Sequence, residues 1–318
     1  MVAFAPIRFR VPVSAALAAV LLAALLAPST ALAQILPWEI VVAQIETGRL
    51  RNFAERLAKQ NVLYQLHLGE TRKSDLIETA AQIDRILESL EQGSSSYSIP
   101  APWTQAIREQ VNRVDEAWGP LRLVATASPY DYFNVKRQFE SSDRRGADPL
   151  LLRYFDDTML DLIEESEKLL ELYSAECLKT GLEVCSIAKA TGINAMLIER
   201  ATRQAVYVVA GIDNTRNREG LSATLAAYRA RQHANEKSQF FTTALDPERS
   251  VSAAAGAKLL VNLRGDWDAL RKEFEILATG DEKNFDLRRM LESQGRLVDK
   301  VERLTAALIR YASLQYGA

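Results

Sequence analysis

Histidine and cysteine are nearly absent from this chain, with two of each in 318 residues. His67 and His233 sit in unrelated surroundings, and no His/Cys set has metal-site spacing, so no metal and no cofactor are expected. Nucleophile motifs and phosphate-cradling glycine loops are missing as well, and the chain is not expected to be an enzyme. Glycine and proline are few and clustered, and no stretch alternates polar and apolar residues between turn signals, which argues against a sheet. One-sided charge is lacking too. The formal net charge is −2, and setting aside Arg8 and Arg10 leaves 37 basic and 41 acidic residues, close to −4. No basic face is implied, and no nucleic-acid partner is expected.

Only one apolar run approaches the length of a membrane span. Arg8 and Arg10 precede it, it runs from Val11 to Ala27, and Pro28-Ser29-Thr30 and Ala31-Leu32-Ala33 follow. That order is the layout of a signal peptide, with a small-x-small cleavage site before Gln34. Residues 1–33 are therefore expected to be removed after Ala33, giving an exported, periplasmic protein. Retention of the run as an N-terminal anchor is the rival reading, since it is slightly short for a span of about 20 residues. No cysteine follows the run, so a lipid anchor is not expected. The C-terminus, Tyr316-Gly317-Ala318, adds no second span.

The two cysteines, Cys177 and Cys185, are eight residues apart. In an exported chain they suggest one disulfide, with two buried free thiols as the alternative. On one continuous helix their Cα atoms would be about 12 Å apart, too far for a bridge. A disulfide therefore requires a break between them, and Lys179-Thr180-Gly181 supplies one.

What is present is helical periodicity. Apolar residues recur at three and four from Gln34 onward, and the pattern predicts an all-α chain of eight helices, at about 38–68, 72–92, 102–127, 149–178, 183–211, 215–244, 247–279 and 282–314. An irregular or partly helical insert is expected at 128–148. Breaks fall at Gly69, Gly93 to Ser96, Pro100-Ala101-Pro102, Gly181, Gly211, Asp246-Pro247 and Gly280.

The eight helices divide into two sets of four because the sequence repeats. Gly48 is followed seven residues later by Glu55-Arg56-Leu57-Ala58-Lys59-Gln60, and Gly192 by Glu199-Arg200-Ala201-Thr202-Arg203-Gln204. Trp118-Gly119-Pro120-Leu121-Arg122 is matched by Trp267-Asp268-Ala269-Leu270-Arg271. The glycines are 144 residues apart and the tryptophans 149, so the copies stay nearly in register. The expected organisation is a signal peptide over 1–33, a first four-helix bundle over 34–180 and a second over 181–318, as separate tandem modules. Trp118 and Trp267 are expected in the cores.

On a helical wheel Leu50, Phe53, Leu57, Tyr64 and Leu68 lie within about 30° of one line, the face toward the core. Arg49 and Arg56 flank it. Arg51 is expected to point away, sharing the outer side with Glu55, Val62 and Leu66, a mixture suited to a subunit interface. On an exposed surface Arg51 would pair with Glu55 one turn on. A guanidinium fork held for a planar anion is the functional alternative, and it needs a second subunit, as in a symmetric homodimer. Glu55 and Glu199 read as partners of nearby basic groups rather than as catalytic acids.

The stretch Gly48 to Lys59 (GRLRNFAERLAK) resembles the pattern G-R-Q-R-M-L-S-Q-R-M-A-K of the PilJ-type domain, the N-terminal sensory module of type IV pili methyl-accepting chemotaxis transducers. It is also similar to the periplasmic sensor of nitrate and nitrite sensor kinases. In the first copy Gly48, Arg49, Arg51, Arg56, Ala58 and Lys59 agree with the pattern. In the second, Gly192, Met196, Leu197, Arg200 and Arg203 agree, while Ile193 and Ala195 replace the two early arginines. The resemblance implies two PilJ-like copies and an anion site whose key residue is Arg51, with Arg49, Arg56 and Gly48 beside it and Gly192 and Arg200 as second-copy counterparts. Glu55 stands where the family has glutamine and adds negative charge there. The expected function is an exported sensory module that binds a small anion and signals through a membrane receptor or pilus-associated protein. The alternative is a ligand-free helical interaction or structural protein of type IV pilus or chemosensory systems.

Overall fold

Eight α-helices and one short 3-10 turn make up the described residues of the computed structural model, which are 35–126, 149–237 and 251–316. The helices are α1 (Pro37–Gln65), α2 (Lys73–Gln92), α3 (Gln105–Thr126), α4 (Pro149–Lys179), α5 (Glu183–Val209), α6 (Asn214–Lys237), α7 (Val251–Thr279) and α8 (Leu287–Tyr316). The leader over 1–33, the insert at 128–148 and the Asp246-Pro247 break lie outside the described residues. From Leu36 onward the chain is one compact unit. No helix among the described residues is long and apolar enough to cross a membrane.

Local chemistry sets the helix ends. Pro37 opens α1, where its missing N–H would have no intrahelical partner anyway, and Glu39 Oε2 accepts from the Leu36 N–H at 2.8 Å. Asp75 does the same for the Arg72 N–H at 2.8 Å at the start of α2, and Thr104 accepts from the Ile107 N–H at 3.2 Å at the start of α3. Gly69, Gly93, Gly181, Gly211 and Gly280, the breaks expected from sequence, all have positive φ. Gly93 is the strictest of them, because a Cβ there would lie 2.8 Å from the Ala101 backbone nitrogen. The eighth helix starts five residues later than expected, since Glu282–Asn284 form a 3-10 turn first.

Each half closes on itself. Helix α1 packs on α2, α2 on α3, α3 on α4 and α4 back on α1, and α5 to α8 repeat the same cycle. This is the neighbour pattern of an up-and-down four-helix bundle. The first core gathers Leu50, Phe53, Leu57, Ile83, Val111, Trp118, Met159 and Tyr173. The second gathers Ile198, Tyr207, Leu221, Tyr228, Trp267, Phe274, Met290 and Leu297. Trp118 is 1 % exposed and Trp267 fully buried, so both tryptophans pack in cores. The Trp118 indole donates to Asp84 at 2.7 Å, whereas Trp267 stacks on Tyr228 with ring centroids 3.6 Å apart.

The two bundles are not the separate bodies expected from sequence. Helix α1 packs along α5 over a long seam, α8 touches α1 and α4 touches α5. Val62 and Leu63, residues of the first half, belong to the second core. The physical reason is that α1 has two apolar faces rather than one. One turns toward α2 and α4, and the other, which includes Val62, is covered by the second half. Cys177 and Cys185 are joined by a disulfide at the α4–α5 corner, with Cα atoms 5.7 Å apart, and are packed against Val41, Ile45 and Ala312 in a third small cluster.

Candidate functional site

The repeated motifs face each other across the α1–α5 seam. A Cβ built on Gly48 would lie 3.6 Å from the Gly192 Cα, and one built on Gly192 would lie 3.6 Å from the Gly48 Cα. The helices therefore cross at their matched glycines, where the absent side chains let the backbones meet. Beyond the crossing the pairs continue in the same sense along both chains, so α1 and α5 run parallel.

Two charge clusters sit past that crossing and exchange under a swap of halves. Glu55 Oε1 accepts from Arg200 Nε at 2.7 Å and its Oε2 from Arg203 Nε at 2.6 Å. Glu199 Oε1 accepts from Arg56 Nε at 2.9 Å and its Oε2 from Lys59 Nζ at 2.8 Å. Each cluster is closed by an acid from the last helix of a half. Arg203 donates to Asp156 of α4 at 2.6 Å, and Arg56 donates to Glu302 of α8 at 3.0 Å. The next repeated residue keeps the correspondence, with Thr79 donating to Gln60 at 2.8 Å and Thr224 to Gln204 at 2.9 Å.

Burial makes these pairs strong and costly to break. Glu55 is fully buried and Glu199 is 1 % exposed. Burial alone would push both carboxyls up. For Glu55 the effect is outweighed by Arg203 and Arg200, and for Glu199 by Lys59 and Arg56, so both stay below the ordinary carboxylate range. Burial lowers the Lys59 ammonium against the pull of Glu199. Asp156 goes the other way, because burial raises it by more than Arg203 and Arg216 lower it. Both glutamates are thus partners of basic groups, as expected.

Arg51 is where the exchange fails, and where the wheel reading needs correction. It is 1 % exposed and does not point to the outside. The polar and apolar residues assigned to an outer face, Arg51, Glu55 and Val62, are all buried, because the second half covers the side on which a partner subunit was expected. The expected Arg51–Glu55 pair is also absent. Glu55 is engaged by Arg200 and Arg203, and Arg51 Nη1 lies 3.2 Å from Glu167 Oε1 of α4. Arg51 Nε and Nη2 are buried with no hydrogen-bond partner among the described residues. Desolvation lowers the guanidinium to about 10 despite the attraction of Glu167, with Arg200 lowering it further.

The matched position, Ala195, lies on the opposite side of the seam. It lines a cavity of about 30 Å³ with Asn52, Phe53, Ile198, Val298 and Thr305, room for a water or two. The buried Asn52 Oδ1 there has no partner. The other two arginines of the expected site are already engaged. Arg49 Nη1 donates to Glu46 at 2.9 Å, Arg56 holds Glu199 and Glu302, and both lie over the Phe53 ring, at 5.5 and 5.0 Å from its centroid. The structure thus gathers Gly48, Gly192, Arg51, Arg56 and Arg200 along one seam, with Arg49 at its edge. Among the described residues no group of three His, Cys, Asp or Glu side chains has a geometry that could hold a metal ion. His67 lies exposed in the turn after α1.

Residues 43–129 match the family model described as "Type IV pili methyl-accepting chemotaxis transducer N-term". This stretch is a PilJ-type domain. The PilJ match spans α1 to α3 and includes the whole first motif, while the second motif lies outside it. Neither a curated protein nor a solved structure matches the chain.

Sequence reasoning misses Glu167, which lies in an acidic stretch of α4 with nothing to set it apart from Glu164 or Glu165. It also misses that the two motifs are each other's partners. A signal for that is present: the acid-base order Glu-Arg-x-x-basic survives in both copies, whereas the early arginines do not.

Proposed function

We propose that this chain is an exported, periplasmic sensory module of the type IV pili chemotaxis-transducer kind, with a second, diverged PilJ-like copy in its other half. In this reading it binds a small anion at Arg51, and its output is contact with a membrane receptor or pilus-associated protein. The observation that carries it is the Arg51 guanidinium, desolvated yet with Nε and Nη2 lacking partners. A buried arginine with two free donors is costly unless something planar and anionic can take them. The Cys177–Cys185 disulfide supports an oxidising compartment. Arg51 lies against α4 of its own half and close to the α5 seam, so the reading does not depend on a homodimer.

A ligand-free interaction or structural role is the second reading. It is favoured by Arg49 and Arg56, whose donors are held by Glu46, Glu199 and Glu302. Thermal melting against sodium nitrate, sodium nitrite and sodium acetate separates the two. An anion at 100 times its dissociation constant stabilises the native state by about 2.7 kcal/mol, and Arg51→Ala abolishes that response. If no anion shifts the melt, the ligand-free reading stands. An equal shift in the variant would place the site elsewhere.

A further inference from the structure

We propose that Glu167 is an internal competitor at Arg51, a carboxylate of the chain's own that occupies the mouth of the anion site and swings out to solvent when an anion binds. The inference rests on the Arg51 reading given above and adds its regulation. Three observations carry it. The pair is lopsided, since the Arg51 side chain is 1 % exposed and that of Glu167 is 51 % exposed, so one partner is fixed in the core while the other sits at its edge with water available. The pair is also incomplete. Only Nη1 faces Glu167, at 3.2 Å, and Nε and Nη2 remain unpartnered, so the carboxylate does not form the two-pronged contact that a guanidinium supports best. Finally, among the described residues Glu167 has no other ion pair. The acids around it on α4 do: Glu164 and Glu165 hold Lys168, and Glu171 holds Lys189. Glu167 is thus the one of these four acids that bridges to the buried guanidinium, and among the described residues no other ion pair ties it there.

The consequence is a thermodynamic handicap on binding. If the binding-competent state, with Glu167 swung out, holds about a tenth of the molecules, the apparent affinity for an external anion is reduced about tenfold. Removing the carboxylate lifts that handicap, because the anion then meets a guanidinium with no resident counter-charge. Shortening it to aspartate keeps the charge but withdraws it, and should lift part of the handicap.

Nitrate and acetate titrations of the full chain, followed by thermal shift at ionic strength held with sodium chloride, test this. The proteins compared are wild type, Glu167→Gln, Glu167→Asp, the double variant Glu167→Gln/Arg51→Met, and Glu164→Gln as a control one turn away. The expected result is a dissociation constant about tenfold lower in Glu167→Gln, an intermediate value in Glu167→Asp, the wild-type value in Glu164→Gln and no response in the double variant. Equal or weaker binding in Glu167→Gln than in wild type, with the double variant silent, overturns the competitor role and leaves the anion site standing. Silence in both wild type and Glu167→Gln overturns the anion site itself, and the competitor with it.

Discussion

Gly48 to Gln60 and Gly192 to Gln204 occupy the same place on paired helices; they share Gly, Glu-Arg and Gln, and among their differences is the residue three after the glycine, Arg51 against Ala195. Where the two copies agree, their residues hold each other: Glu55 takes Arg200 and Arg203, and Glu199 takes Arg56 and Lys59. At that position, three after the glycine, one side has a buried arginine with free donors and the other an alanine beside a small cavity. The shared residues therefore hold the two halves together, and Arg51, which only the first copy has, is free of that duty. A function that needs only one site can rest on it without loosening the seam.

The largest effect should come from breaking one shared cluster. Glu55→Ala leaves Arg200 and Arg203 facing a buried gap and is expected to cost about 3–5 kcal/mol, read from urea unfolding. Glu199→Ala should cost about 1 kcal/mol less, because the two clusters use different cations. Each cluster keeps one acid, Asp156 for Arg203 and Glu302 for Arg56, but Lys59 can shed its proton when its partner is lost, whereas an arginine stays charged. Equal losses would mean that the cations are interchangeable and that the clusters differ only in name.

Acid should dismantle both clusters together. Glu55 and Glu199 are held below their ordinary value of 4.5 when folded, so their contribution is present above about pH 4.5 and is lost as pH falls through the folded values. Asp156 has the opposite sign. Its folded value is raised, so its contribution is present below its ordinary 3.8 and fades as pH rises through the folded value, which softens the acid limb. Urea midpoints between about pH 6 and pH 3 should fall on acidification in wild type and much less in a Glu55→Gln/Glu199→Gln variant. A parallel fall in both would assign the acid sensitivity to other carboxylates.

Much of the fold is legible in the residues themselves. Apolar periodicity and the five positive-φ glycines place the helices, because those signals are local. The pairing of the halves is not legible from the wheel, because α1 is buried on more than one side. Val42, Leu50 and Leu57 pack into the first core while Val62 and Leu63 serve the second, and a single moment direction cannot describe such a helix. Arg51 is misread for the same reason: a charged residue opposite the first core reads as solvated unless the second half is known to cover it. Glu167 cannot be found at all from sequence, since its role depends on which turn of α4 passes α1.

Position 51 against position 195 offers effects of opposite sign. Arg51→Met removes a desolvated charge and two unpartnered donors, and should stabilise the chain by about 1–2 kcal/mol. Such a gain is what a residue kept for binding rather than for stability gives up. Ala195→Met places a long side chain where the cavity is about 30 Å³, and overpacking should cost about 1–3 kcal/mol. Thermal melts read both. A loss in Arg51→Met would show that the Glu167 pair is a net support of the fold.

The smallest effects test the crossing itself. Alanine at either Gly48 or Gly192 meets only the bare Cα of the other glycine at 3.6 Å, an ordinary contact, while gaining up to about 1 kcal/mol of helix propensity. Each single variant should therefore be neutral or slightly stabilising, and by the same amount, since the contact is reciprocal. With both replaced, a methyl faces a methyl where the two backbones meet, and the helices must part. The double variant should melt below the sum of the singles by an amount that measures the closeness of the crossing. Additive singles would mean that α1 and α5 can slide apart at no cost there, which would leave the charge clusters alone to hold the halves in register.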